Sequence, residues 1–298
     1  MLGLRLAAAT EDFGTNLRQA IQRAAQNRVR GLRLNVRQEV RAEEFSATGL
    51  RQLRHFVEEH QLRVAGLLFP TRHALAEPQY LDQRLDGLRA AIGLARPLGT
   101  EEILVRIGRI PDPDGQAESV SQSAVNDDVN SLTNPFSFAP SGGGASLPSE
   151  AQQYRYLLEV LTDMAAVAGR EGASLQLIPS AYDTGRLRRL LTDVKSGPVG
   201  LVFDPATCVM SGRNPVDVFR DLYQHVGYAR MRDARRDVDG GGIEVTHGDG
   251  IVDWNEVLAV LTEADTAMWA CAERTGGDQR GEDAARAVHH FNSLLPSF

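Results

Sequence analysis

Lysine is almost missing from this chain: of 32 Lys and Arg residues, Lys195 is the only lysine. It lies in a Lys-Ser-Gly-Pro turn ahead of a predicted strand, which leaves a Schiff-base aldolase or a pyridoxal enzyme without a well-placed nucleophile. Cysteine is equally scarce. Cys208 and Cys271 are too few for a disulfide framework and join no C-x-x-C pair or Cys/His cluster, so both read as small buried hydrophobes. No apolar run approaches the ~18 residues of a membrane helix, and residues 1–9 read as a strand rather than a charged leader. A soluble, cytoplasmic protein is expected. Runs of basic residues are missing too and the net charge is -7, so nucleic acid and anionic membranes are poor partners.

What is present is ordinary globular composition, 42% hydrophobic and 24% charged, sufficient for a large core. Short apolar runs bounded by Gly, Pro and Asp alternate with stretches at helical spacing. The pattern predicts strands at 2–8, 31–36, 63–69, 101–108, 173–178, 199–203, 226–231 and 267–272. Helices are predicted at 15–27, 46–60, 79–97, 149–171, 184–194, 214–223, 253–264 and 281–294. Ser149 with Gln152 and Asp253 with Glu256 have the separation of capping boxes. Eight βα units in unbroken alternation predict a parallel sheet closed into a (β/α)8 TIM barrel, one domain over 1–298. A low-complexity insertion at 112–148 follows the fourth strand and reads either as a surface excursion or as a lid over the barrel mouth.

Barrel active sites lie at the C-terminal ends of the strands. Those ends carry few carboxylates and many arginines: Arg72, Arg106, Arg109, Arg230, Arg232 and Arg274 against Asp204, Asp233 and Glu273. Arginine forks bind carboxylate or phosphate, so the mouth suits a small anionic ligand. Side chains alternate along a strand, which puts Arg230 and Arg232 on one face but Glu273 and Arg274 on opposite ones. Arg5, Arg33 and Arg106 stand where they can pair with acids inside the barrel or meet a ligand. His247, in the loop before the seventh helix, is either a ligand contact or a solvated loop residue, whereas Trp254 and Trp269 read as packing.

Four segments come in a telling order: Phe203-Asp204-Pro205-Ala206, Tyr228-Ala229-Arg230-Met231-Arg232-Asp233-Ala234, Gly248-Asp249-Gly250-Ile251-Val252-Asp253-Trp254 and Glu273-Arg274-Thr275-Gly276-Gly277-Asp278. Together they resemble the second half of the xylose-isomerase-like family of sugar and sugar-phosphate isomerases and epimerases. Leu68-Phe69-Pro70-Thr71-Arg72 and Gly108-Arg109-Ile110-Pro111 look like the same family's third and fourth strand ends. The resemblance implies a divalent metal, Mn or Mg, held by a Glu at the end of strand five, an Asp after strand six, a His in strand seven and a Glu at strand eight. It also implies proton transfer next to a carbonyl, which the ion polarises while a carboxylate acts as base.

Asp204 and Glu273 match two of those four positions, but Ile178 stands where the first Glu belongs and Arg230 where the His belongs. A guanidinium donates without accepting and keeps its charge, so it cannot ligate a cation. The expectation is a degenerate site with no metal and no other cofactor, Arg230 being paired with Asp204 and Glu273. Two functions stay open. One is an isomerase or epimerase with Glu273 as surviving acid/base and Arg230 as electrophile. The other is a non-catalytic relative that binds an anionic metabolite or a protein partner. Association into a homo-oligomer is left undecided. Endonuclease chemistry on abasic DNA, which uses a related barrel, would need more metal ligands and a basic face.

Overall fold

A computed structural model describes residues 4–115, 148–237, 240–264 and 267–295. Most of the 112–148 insertion lies outside the described residues, and with it the choice between lid and surface excursion. Seven strands, β1 (Arg5–Ala9), β2 (Gly31–Asn35), β3 (Arg63–Phe69), β4 (Glu102–Gly108), β5 (Ser174–Pro179), β6 (Val199–Phe203) and β7 (Val226–Met231), belong to one sheet. A short antiparallel pair follows, β8 (Asp233–Arg236) with β9 (Gly242–Val245), and then β10 (Trp269–Ala272). The parallel strands close into a barrel in the ring order β1-β10-β7-β6-β5-β4-β3-β2, which is the expected (β/α)8 TIM barrel. Among the described residues no helix is long and apolar enough to cross a membrane.

The helices are α1 (Leu17–Ala25), α2 (Ala47–Glu59), α3 (Leu81–Leu98), α4 (Glu150–Arg170), α5 (Thr184–Asp193), α6 (Pro205–Met210), α7 (Pro215–Leu222), α8 (Trp254–Glu263) and α9 (Arg280–Leu294). The start signals work as local chemistry dictates. Ser149 and Gln152 form the reciprocal capping box, while Asp253 accepts from the amides of Asn255 and Glu256.

Alternation along each strand sorts the core into two layers. Outward residues such as Leu32, Leu34, Ile103 and Val105 pack beneath the helices. Inward residues Ala7, Ala9, Ala65, Leu104, Ile178, Val202, Tyr228, Trp269 and Cys271 fill the barrel, with Leu68 packed against them. Both cysteines are buried. Gly31 is required at the N-terminal end, where a Cβ would stand 2.6 Å from the Trp269 ring. Polar inward side chains stand at the two ends of this filled interior: Arg5, Glu102 and Gln176 at the N-terminal end, and the larger set at the C-terminal rim.

Candidate functional site

Each inward rim residue continues a row that begins in the apolar core. Val202 leads to Asp204, Tyr228 to Arg230, Cys271 to Glu273 and Leu104 to Arg106, each two residues on and hence on the same face. Asp204 is also the N-cap of α6, with Pro205 at the first helical position and Oδ1 accepting from the Thr207 amide at 3.2 Å. Its turn-starting role and its place at the rim therefore coexist. Oδ2 accepts from Arg232 Nε at 2.9 Å and Nη2 at 2.5 Å, and lies 3.6 Å from Arg230 Nη1.

Arg230 in turn donates through Nε to Glu273 Oε1. Glu273 Oε2 sits 2.9 Å from Arg33 Nε, a close ion pair without hydrogen-bond alignment, and both side chains are buried. Arg33 Nη2 donates to Glu11 Oε1 at 2.9 Å, and Glu11 Oε2 accepts from Asn35 Nδ2 at 2.5 Å. At the other end Arg232 Nη1 reaches Glu244 Oε2 at 3.0 Å, and Arg274 Nη1 lies 3.2 Å from Glu244 Oε1. The result is a continuous ladder of alternating sign: Arg274, Glu244, Arg232, Asp204, Arg230, Glu273, Arg33, Glu11.

The ladder sets the protonation of its members. Burial would push the Glu273 carboxyl up, but Arg230, Arg33 and Arg232 together hold it below the usual carboxylate range. Burial would likewise lower Arg33, which Glu273 and Glu11 instead hold well above its ordinary value. Two acids at the edge of the ladder go the other way. Burial raises Asp12 well above its ordinary value and Glu39 to about 7.

The geometry does not fit a divalent ion. Ile178 faces into the barrel where an anionic ligand is expected, and the Arg230 guanidinium occupies the space between the two remaining carboxylates. Among the described residues no three of His, Cys, Asp and Glu come together as a ligand set.

Several residues read as mouth contacts lie elsewhere. Arg109 is exposed and ion-paired with Glu150 at the start of α4, because the chain turns away at Gly108, whose φ is +76°. Arg72 is also exposed, beyond the end of β3. His247 packs between Trp254, His290 and Phe291, with Nε2 2.7 Å from His290 Nδ1, and touches no ladder residue. Arg274 joins the ladder from outside the barrel, 3.4 Å from Asp283 of α9. Arg232 is committed to Asp204 and Glu244. Arg106, half-buried on β4, has neither a hydrogen-bond nor an ion-pair partner among the described residues.

The reading of the strand ends missed Glu11 and Glu244. Glu244 is delivered by the β8–β9 pair, whose one sequence signal is the Gly240-Gly241-Gly242 turn between two short polar-apolar alternations.

Comparison with known proteins places these departures in context. A stretch of an inosose dehydratase from Bacillus thuringiensis (strain Al Hakam) is 23% identical over 104 residues, covering 30% of this chain and 35% of that relative. The match thus spans about a third of the length of the curated relative. The xylose isomerase domain protein from Planctomyces limnophilus superposes with a TM-score of 0.74 at 17% identity, over 98% of this chain and 96% of that one. A xylose isomerase-like TIM barrel protein from Mycobacterium smegmatis, solved in complex with magnesium, superposes with a TM-score of 0.69 at 13% identity, over 98% and 96%. Residues 21–294 match the family model described as xylose isomerase-like TIM barrel, and the chain belongs to that family.

Proposed function

We propose that this barrel is an isomerase/epimerase-like protein with a degenerate metal site, which binds a small anionic, sugar-like molecule at its C-terminal mouth without a metal ion. The observation that carries the reading is the seat of Arg230, hydrogen-bonded to Glu273 and 3.6 Å from Asp204. A cation entering there would have to break both contacts against a fixed like charge. Glu273, held ionised by three guanidinium groups, is a weak base, which favours binding over proton transfer. Metal-free isomerisation keeps one support: Glu273 Oε2 is buried without an aligned hydrogen bond.

Calorimetric titration with Mn and Mg, together with a panel of ketoses, aldoses and their acid and phosphate derivatives, tests this. The expected result is no stoichiometric metal binding by the natural protein, and recovery of affinity in the double variant Ile178→Glu with Arg230→His. Tight Mn or Mg binding at Asp204 and Glu273 in the unmodified protein would sink the metal-free reading. Metal-independent turnover of any panel member would decide for the isomerase over the binding protein.

A further inference from the structure

The ladder divides the mouth into two unlike halves. In ring order its inward members stand on or just past β6, β7, β10 and β2, with Glu11 just past β1, so these strands form one continuous arc of the barrel. At the mouth, the inward guanidinium groups of that arc, Arg33, Arg230 and Arg232, each already face two carboxylates. The remaining arc is β3, β4 and β5; Glu102 points inward at the N-terminal end of β4, bonded to Gln176, and at the C-terminal end the one inward charge among the described residues is Arg106. β4 stands four places from β10 in the ring of eight, so Arg106 lies across the mouth from Glu273.

Two inward residues on the strands flanking Arg106 are apolar. It pairs in register with Ile178 on β5, and Leu68 on β3 is level with Leu104, one inward position beneath it. Among the described residues no anion stands beside this half-buried guanidinium, which they leave incompletely compensated, unlike the other inward arginines of the mouth. Resting on the reading of the mouth as a ligand site, we infer that Arg106 is its anion-reading residue. The ligand then carries a carboxylate or phosphate on an apolar carbon segment that lies over Ile178 and Leu68, which narrows the sugar-like molecule proposed above to one whose hydroxyls stand away from its anion. Its remaining polar groups turn toward the ladder. A polyol acid, with hydroxyls flanking its anion, would leave those hydroxyls against Ile178 and Leu68 without partners, which costs affinity.

This specifies the probes. The intact protein is titrated calorimetrically with cyclohexanecarboxylate, gluconate and inorganic phosphate. Cyclohexanecarboxylate is expected to bind one-to-one, at least about tenfold more tightly than gluconate or phosphate. Arg106→Gln should weaken it about tenfold or more, the scale of one charge-assisted hydrogen-bonded contact, and Arg106→Lys should weaken it less. Ile178→Ser should narrow the preference over gluconate. Arg89→Gln, on the outside of α3, serves as the charge-matched control, and melting curves establish that each variant is folded. Equal affinity of Arg106→Gln and the natural protein overturns the assignment. So does a preference for gluconate or bare phosphate, or binding of none of the three. Metal titration separates the two failures: metal binding with intact Arg106 dependence removes only the metal-free reading, whereas silence to metal with no Arg106 dependence removes only this one.

Discussion

A single carboxylate, Asp233, organises the loop that carries the most family-like sequence. Its Oδ2 accepts from Gly248 N at 2.9 Å, Gly250 N at 3.3 Å and Trp254 Nε1 at 3.1 Å, while Oδ1 accepts from Ala234 N at 2.9 Å. Gly250 is needed for this approach, since a Cβ there would lie 1.8 Å from Oδ1. The Gly-Asp-Gly signature therefore encodes a loop gathered onto a buried acid rather than a ligand contact. Asp233→Asn puts an amide NH2 where only acceptors fit and strands at least one buried donor, which should cost about 3 kcal/mol. Urea unfolding followed by tryptophan fluorescence measures it. An unchanged midpoint would show that the loop is held by something else.

At the scale of elements, the barrel strands and their helices were legible because both periodicities are strong and the caps are explicit. The read boundaries differ from the observed ones by a few residues at most, as at α1, read as 15–27 and found at Leu17–Ala25. What was not legible was short. α6 has six residues and no room for a helical period, and β8 and β9 have four each. The displacement of His247 also belongs here, because its neighbours come from α8 and α9 and not from its own loop. Burial, and next the facing His290, lower its pKa to about 4. Asp233 and Arg286 are the other charges near it. A histidine depressed in this way favours the neutral form. Its stabilising contribution is complete above the unfolded value of about 6.5 and is lost as pH falls toward 4, up to about 3 kcal/mol. Glu39, raised to about 7, acts with the opposite sign, since its contribution is present at low pH and lost as pH rises through 7. The difference between His247→Phe and the natural protein isolates the histidine. Melting temperatures from pH 4.5 to 7.5 should fall less on the acid side in the variant, and parallel profiles would contradict the assignment.

For the molecule as a whole, the sequence revealed which charges sit at the strand ends but not which of them are spent on one another. That depends on ring closure, which brings β2 and β10 to either side of β1 and sets Arg33 against Glu273. The same seam is stitched by Arg5 Nη2 to the Ala267 carbonyl at 2.7 Å and by the Arg274 amide to Asp12 Oδ2 at 2.9 Å. Arg33 and Glu273 are each almost fully buried, so removing either partner alone leaves an uncompensated charge in a medium that solvates it poorly. Arg33→Met strands part of the charge on Glu273 and Glu11, and Glu273→Met leaves Arg33 and Arg230 side by side. Each should cost about 3–5 kcal/mol. Removing both takes away an acid and a base together, leaving Glu11 with Asn35 and Arg230 with Asp204. The double variant should therefore be less destabilised than the sum of the singles, by about 0.5–3 kcal/mol, the range for directly coupled charges. Equilibrium urea denaturation of all four proteins closes the cycle. Strict additivity would mean that the two side chains are neighbours without being partners, and that the barrel is closed by its backbone ladder and apolar core alone.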